Sequence, residues 1–426
     1  MITVISKGVP NKSIQCVALA AIILATQAFL FTCPALAAPA ATAPAWTYQA
    51  STEVKSVAVS AVGDLVVLGT GDNKVIAFNS TGAKLWEKTV SDIPLNVVIS
   101  ADGTVIAANV WGGHVVTFDR EGSELGDYPV NDFISGIAIS DNGNEIAAGS
   151  WNGYVYLLSR FGTGTWYSKT EEQINTVTVS GDGNTIVAGG RNGAITAWDR
   201  TGNQLWTHEL ISPATAVAVS RNGDVIAVGL QNGRVNFFDR SGKLLKESST
   251  DSIVNTISMT YNGGLIIAGT ANSGIFAFDS QGGKLWESGT GNAIKSTAVS
   301  NYGMIVAGDS DGVVSGYDAN GQKTAQFQAG NAINSVAIAA GGETVAAGSS
   351  DGKAYVFDNR AGTFAPKTIV TTTPIPVQTP TPTAAPTAQA TATPAPAGSV
   401  VQAGISIIAI ISALSIAGYY SRRRNN

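Results

Sequence analysis

The sequence predicts an all-β fold, an eight-bladed β-propeller of four-stranded antiparallel blades. Three observations carry this reading. Residues 45–365 repeat with a spacing of 40. Each repeat holds four strand signals separated by turn residues. A fragment before the first full repeat supplies the one strand missing from the last.

Taken in chain order, residues 1–37 read as a secretory signal. Lys7 and Lys12 precede the apolar run "SIQCVALAAIILATQAFLFTCPALAAPA", and Ala35-Leu36-Ala37 is a small-residue site with cleavage expected after Ala37. An uncleaved signal anchor is the alternative. "FLFTC" lacks the small residue that lipid modification of Cys33 would want just before it. The only cysteines, Cys16 and Cys33, lie in this segment, so the mature chain would form no disulfide. Residues 38–44 are a short linker.

The repeats follow. First strands of the "VAVS" type end at Ser60, Ser100, Ser140, Ser180, Ser220, Thr260, Ser300 and Ala339, the seventh repeat being one residue short near Gly303. A glycine recurs in the second strand from Gly69 to Gly348, with Asn109 standing in for it once. In the fourth repeat the strands are "TVTVS", "TIVAGG", "AITAWD" and "QLWTHE", separated by "GDGN", "RNG" and "DRTG". Asp-Gly and Asn-Gly supply the positive φ of tight hairpins. Second strands such as "EIAAGS" and "TVAAGS" are rich in Ala and Gly. Those residues are poor strand formers alone and are expected where neighbouring sheets crowd together. An open stack of sheets would leave exposed edges, which closure into a ring removes.

Closure follows from register. Trp86, Trp166, Trp206 and Trp286 share one fourth-strand position, and stepping back 40 from Trp86 lands on Trp46 in "PAWTYQ". The eighth repeat shows three strands before "FDNRAG". Residues 45–50 are therefore expected to be its outer strand, paired near 353–358.

Beyond the repeats, residues 366–398 carry no charge after Lys367 and are rich in Thr, Pro and Ala, a composition that cannot build a core. They read as a stalk, with O-glycosylation as one form of it, extended at about 3.1 Å per residue and reaching on the order of 100 Å. Residues 399–421 are uncharged and long enough to cross a bilayer as a helix, with Tyr419 and Tyr420 at the interface. Arg422, Arg423 and Arg424 in the 422–426 tail place the tail in the cytoplasm and the propeller outside the cell membrane.

"VIAFNSTGAKLWEK", "AITAWDRTGNQLWTH" and "IFAFDSQGGKLWES" resemble the PQQ-like, tryptophan-docking propeller repeat, and the "VAVS-DG-IAAGS-DG-V-FD" frame is similar to WD repeats. The resemblance implies that Trp46, Trp86, Trp166, Trp206 and Trp286 dock between adjacent blades. Gly126, Lys246 and Ala325 replace the Trp in the second, fifth and seventh blades, and those interfaces are expected to pack less fully. The stalk, single span and basic tail together resemble archaeal surface proteins, although "PAPAGSVV" is only a loose match to their sorting motif.

The resemblance fixes no function, since such propellers serve as enzymes and as scaffolds. Quinoprotein dehydrogenases of this fold use a calcium-held quinone and a vicinal disulfide, and the mature chain has no cysteine. His114 and His208, the only histidines, have no metal-ligand spacing, and His208 is expected on the outer surface. Asp72, Asp311 and Asp351 are lone turn residues without calcium-loop spacing. "GTGDNK" lacks the phosphate-loop spacing. The net charge of -5 and the absence of a basic stripe exclude a nucleic-acid partner. No cofactor or metal is expected, and the chain reads as no enzyme. It reads as a non-catalytic surface module binding a protein or glycan at the envelope. An architectural envelope component and a PQQ-type oxidoreductase are the alternatives. Asn79-Ser80-Thr81 is the one mature N-glycosylation sequon.

One face stands out as a candidate site. The turn between second and third strands carries Gly71, Trp111, Trp151, Arg191, Gln231, Ala271, Ser310 and Ser350 in the eight blades. Four large side chains thus fall on consecutive blades. The links between blades bring Asp92, Asp132, Glu171 and Glu172 to the same sector. Two indoles, an arginine and carboxylates suit a sugar or peptide. The competing reading has both tryptophans folding down to shield the blade tops.

Overall fold

The computed structural model describes residues 40–361 apart from Asn131 and Ser273. The expected signal, stalk, membrane span and basic tail lie outside the described residues. Among the described residues no helix is long and apolar enough to cross a membrane.

Eight antiparallel sheets form eight blades, each containing four consecutive positions of the repeat. Blade 3, for example, comprises Ile134–Ile139, Ile146–Ser150, Tyr154–Leu158 and Gly164–Lys169, ordered from the central channel outward. Burial follows that order. The second strand is buried along its whole length because neighbouring blades cover both of its faces, whereas the fourth alternates between exposed and half-buried. The small residues of the second strand make this crowding possible. A Cβ at Gly149 would stand 2.5 Å from the Ile174 side chain of the next blade, and one at Gly308 would stand 2.3 Å from Ile333. In blade 2 the larger Asn109 is accommodated because its buried amide donates to the Ile134 carbonyl at 3.0 Å.

The recurring serine has a local task. Ser60, Ser100, Ser180 and Ser220 are buried, and each Oγ accepts the amide of the residue five positions on, at 3.0–3.1 Å. The hydroxyl thereby satisfies a backbone donor inside the turn. In the shortened seventh repeat Ser300 does the same for Met304, four residues on. At that end of the channel the blades are tied by backbone bonds, including Ala61 N to Ala101 O, Ala101 N to Asp141 O, Asp141 N to Gly181 O and Arg221 N to Tyr261 O. Ala340 N to Ala61 O joins the last blade to the first.

The ring closes as the register predicts. Trp46–Gln49 pairs antiparallel with Lys353–Asp358, with Trp46 opposite Val356 and Gln49 opposite Lys353. Val54, Val57, Ala346 and Val356 share the core of this closing interface. The segment 38–44 does more than link. Ala40–Ala41 adds in parallel to Lys323–Gln328 as a fifth strand of blade 7, and Thr42 N bonds Gln326 O at 3.1 Å. An exposed sheet edge offers unpaired backbone groups to any passing chain, so alanines suffice and no side-chain pattern announces the strand.

All five tryptophans at the repeated position lie against the following blade. Each indole Nε1 donates to a carbonyl there: Ser80, Arg120, Arg200, Arg240 and Ala319, at 2.8–3.1 Å. Each ring covers a turn glycine with positive φ. At Gly202 (φ 89°) a Cβ would sit 2.9 Å from the Trp166 ring. In the same turn the Thr201 hydroxyl, followed by Asn203, holds the Asp199 carboxyl down at about 2.

At the three interfaces without this tryptophan, expected to pack less fully, other residues fill the position. In blade 5 the cross-strand partner of Lys246 is Phe237, whose ring lies against the Gly282 turn. In three of the five blades that carry Trp this partner is alanine, Ala77, Ala197 and Ala277, whereas Trp166 and Trp46 face Leu157 and Val356. In blade 7 Phe327, two residues past Ala325, packs on Tyr355 and Phe357 at 4.8 and 5.3 Å. In blade 2 the Phe161 backbone lies against Gly126, and Tyr128 meets Tyr156 at 6.0 Å. Exchanging large and small residues across facing positions keeps the volume filled.

Candidate functional site

The turns between second and third strands and the links between blades share one face, here the upper one. One backbone bond recurs there and sets which side chains meet. The amide of the turn residue donates to the carbonyl of the link residue just before the first strand: Trp111 to Ile93, Trp151 to Phe133, Arg191 to Gln173 and Gln231 to Pro213, at 2.9–3.0 Å.

Trp111 is 57% exposed and Trp151 47% exposed, so neither is folded down as core. Phe133 joins them, with ring centroids 5.2 Å from Trp111 in an edge-on arrangement and 4.3 Å from Trp151. Asp132 lies between the two turns. Its backbone abuts Gly113, its Oδ1 accepts the Phe133 amide at 2.8 Å, and its Oδ2 lies 3.3 Å from the Ser150 hydroxyl. Asp92 accepts the Ile93 amide at 2.7 Å, and its Oδ2 faces Gly112. These residues form one sector over blades 2 and 3.

The other candidates stand beside it. Arg191 is exposed and donates to the Gln173 side chain at 3.0 Å. Glu171 is exposed, Glu172 half-buried, and Gln231 exposed on blade 5. Phe133 is the member missed in the sequence. Its signal was the link position 18 residues before each turn residue, where blade 3 alone has an aromatic.

The histidines do other work. His114 Nδ1 meets Asp127 Oδ1 at 2.8 Å on the flank. His208, expected on the outer surface, is half-buried between blades 4 and 5. It stacks on Phe238 at 5.1 Å and contacts the Gly242 carbonyl at 2.6 Å. Among the described residues no group of three or more His, Cys, Asp or Glu could hold a metal ion. Asp351 shows the turn role of such residues, accepting the Gly330 and Lys353 amides at 2.9 Å. Asn79 likewise opens a turn, its Oδ1 accepting the Thr81 hydroxyl at 2.8 Å.

The lower mouth of the channel holds a cavity of about 320 Å³, walled by the last residue of each first strand, from Val59 to Ile338. One polar cluster marks it. Arg221 Nε and Tyr261 OH both donate to Asp141 Oδ2, at 2.8 and 2.7 Å.

With this geometry established, the family model described as outer membrane protein assembly factor BamB matches residues 37–137, 111–258, 151–293 and 231–375. The chain belongs to the BamB family. The overlapping matches are what a repeat of fixed period produces when a family model slides along it. No curated protein matches the BamB-family chain in sequence. Among solved structures, BamB from Moraxella catarrhalis is similar at 18% identity and a TM-score of 0.61, over 74% of this chain and 99% of that one. The C-terminal WD40 domain of Sif2 is similar at 14% identity and 0.67, over 75% and 99%. Chaetomium thermophilum Sqt1, crystallised with the N-terminus of ribosomal protein L10, is similar at 14% identity and 0.66, over 74% and 100%. At these identities the likeness shows the fold alone. The fold is one shared by BamB and by WD40 interaction modules.

Proposed function

We propose that the protein is a non-catalytic binding module whose upper face, at Trp111, Phe133 and Trp151, engages a partner outside the cell membrane. The observation that carries this reading is the exposure of both indoles. Large aromatic rings held in contact yet left in water are uncommon unless something covers them, and Trp is enriched where partners bind. Sqt1, a propeller of like fold, was crystallised with a segment of another protein on it. Display on a stalk suits the direction of the chain. Lys353–Asp358 begins at the upper face and ends at the lower one, so the described chain ends on the side opposite the indoles.

Replacing Trp111 and Trp151 by Ala is expected to abolish capture of the native-host partner in a pulldown with the secreted ring. The melting temperature should stay within about 2 °C, as for surface substitutions. A large fall in melting with capture intact would make the pair structural. Protease added to intact protoplasts should release a soluble ring by cutting within 366–398. A ring still protected after verified deglycosylation would overturn the outward orientation.

A further inference from the structure

We propose that the Trp111–Phe133–Trp151 sector takes a cationic side chain, lysine or arginine, of a partner protein. The inference rests on the upper face being the binding face and adds the chemistry of what binds. Indole faces attract cations through the negative face of the π-system, most strongly among the aromatic side chains. A carboxylate stands beside each of the two turns. Asp92 Oδ2 lies 3.6 Å from where a Cβ of Gly112 would be, next to Trp111, and Asp132 Oδ2 reaches Ser150, next to Trp151. The other oxygen of each carboxylate is held by the amide of the following residue, so both groups are oriented before any partner arrives.

Charge complementarity selects the occupant. On blade 1 the same face is neutralised internally: Glu53 pairs with Lys55 at 2.6 Å, and Asp72 with Lys74 at 3.3 Å. Asp92, Asp132, Glu171 and Glu172 take part in no ion pair among the described residues. Arg191, beside Glu171 and Glu172, bonds only the neutral Gln173 side chain and keeps its charge, so it offsets part of that pair, whereas Lys169 lies over the Tyr154 ring at 5.5 Å. An anionic partner would face the two uncompensated carboxylates Asp92 and Asp132 beside the rings. A neutral sugar would gain nothing from their charge. A cation gains from both the rings and the carboxylates.

Fluorescein-labelled tetralysine tests this by anisotropy against the folded ring, with tetraglutamate and cellotetraose as competitors. Tetralysine should bind, tetraglutamate and cellotetraose should not displace it, and binding should weaken several-fold as salt rises from about 50 to 500 mM. Combined Asp92→Asn and Asp132→Asn should weaken it about tenfold, and Trp151→Ala should weaken it at least as much, with melting unchanged in both. Asp251→Asn, in the link before blade 6, removes one charge elsewhere on that face, to be compared with Asp132→Asn alone, and should change nothing. If binding falls equally in Asp251→Asn, the attraction is only that of the net charge and the proposal fails. If direct titration shows cellotetraose binding that is lost in Trp151→Ala while tetralysine does not bind, the binding face stands and the cationic ligand is wrong. If tetralysine binds with no response to any sector substitution, the sector is not its site and the proposal fails.

Discussion

A chain beginning at Val54 is expected to melt roughly 10 °C or more below the chain that retains Trp46–Gln49, as judged by the shift per kcal/mol for a domain of this size. Several losses add. The pairs of Trp46–Gln49 with Lys353–Asp358 vanish, exposing the edge of blade 8. Trp46 and Tyr48 leave the Phe78 ring, which they meet at 5.4 and 4.8 Å. The Ser80 carbonyl loses its indole donor. Blade 1 thereby loses the partner that its own third strand and turn pack against. Differential scanning calorimetry of the two chains checks this, and equal melting would mean that the ring does not depend on its N-terminal strand.

Trp86→Ala is expected to destabilise the ring by about 3–5 kcal/mol, the range for truncating a large aromatic in a core. Trp86 is 9% exposed, tilts on Phe118 at 5.8 Å and donates to Arg120 O at 2.8 Å. Beneath it is Gly122, at φ 85°, where a Cβ would stand 2.6 Å from the indole. No neighbour can collapse into the gap without moving that turn. Trp166 holds the same position in blade 3 but is only half-buried, so Trp166→Ala should cost visibly less. Urea unfolding midpoints of the two variants separate the cases. Identical losses would show that the position, rather than its burial, sets the cost.

Much of this architecture was legible because a repeat multiplies its own signal. Ser60 and its counterparts, the second-strand glycines and the Trp positions each recur, and the displaced Trp46 revealed how the ring shuts. What repetition conceals is compensation. Lys246 read as a gap because its partner Phe237 lies on another strand, and Phe327 makes good for Ala325 from two residues away. Phe133 was hidden for a similar reason. Its meeting with Trp151 depends on a turn-to-link bond that sequence spacing reveals only after the blade geometry is known. Ala40–Ala41 was invisible because it is held through its backbone.

The exit of the chain at the end of Lys353–Asp358 has a mechanical consequence. A partner gripping the upper face and a tail pulled from below would stretch the ring along that strand. The strand is flanked on both sides, by Trp46–Gln49 and by Thr344–Ser349, so tension loads its bonds to both neighbours together in shear. An outermost strand pulled sideways would instead give way one bond at a time, like a zipper. Because rupture under force is governed by the unfolding rate, a tether joined to this inner strand would lengthen the life of a loaded ring. The N-terminal strand would then clamp the tethered strand, and its removal should shorten survival under load more than at rest.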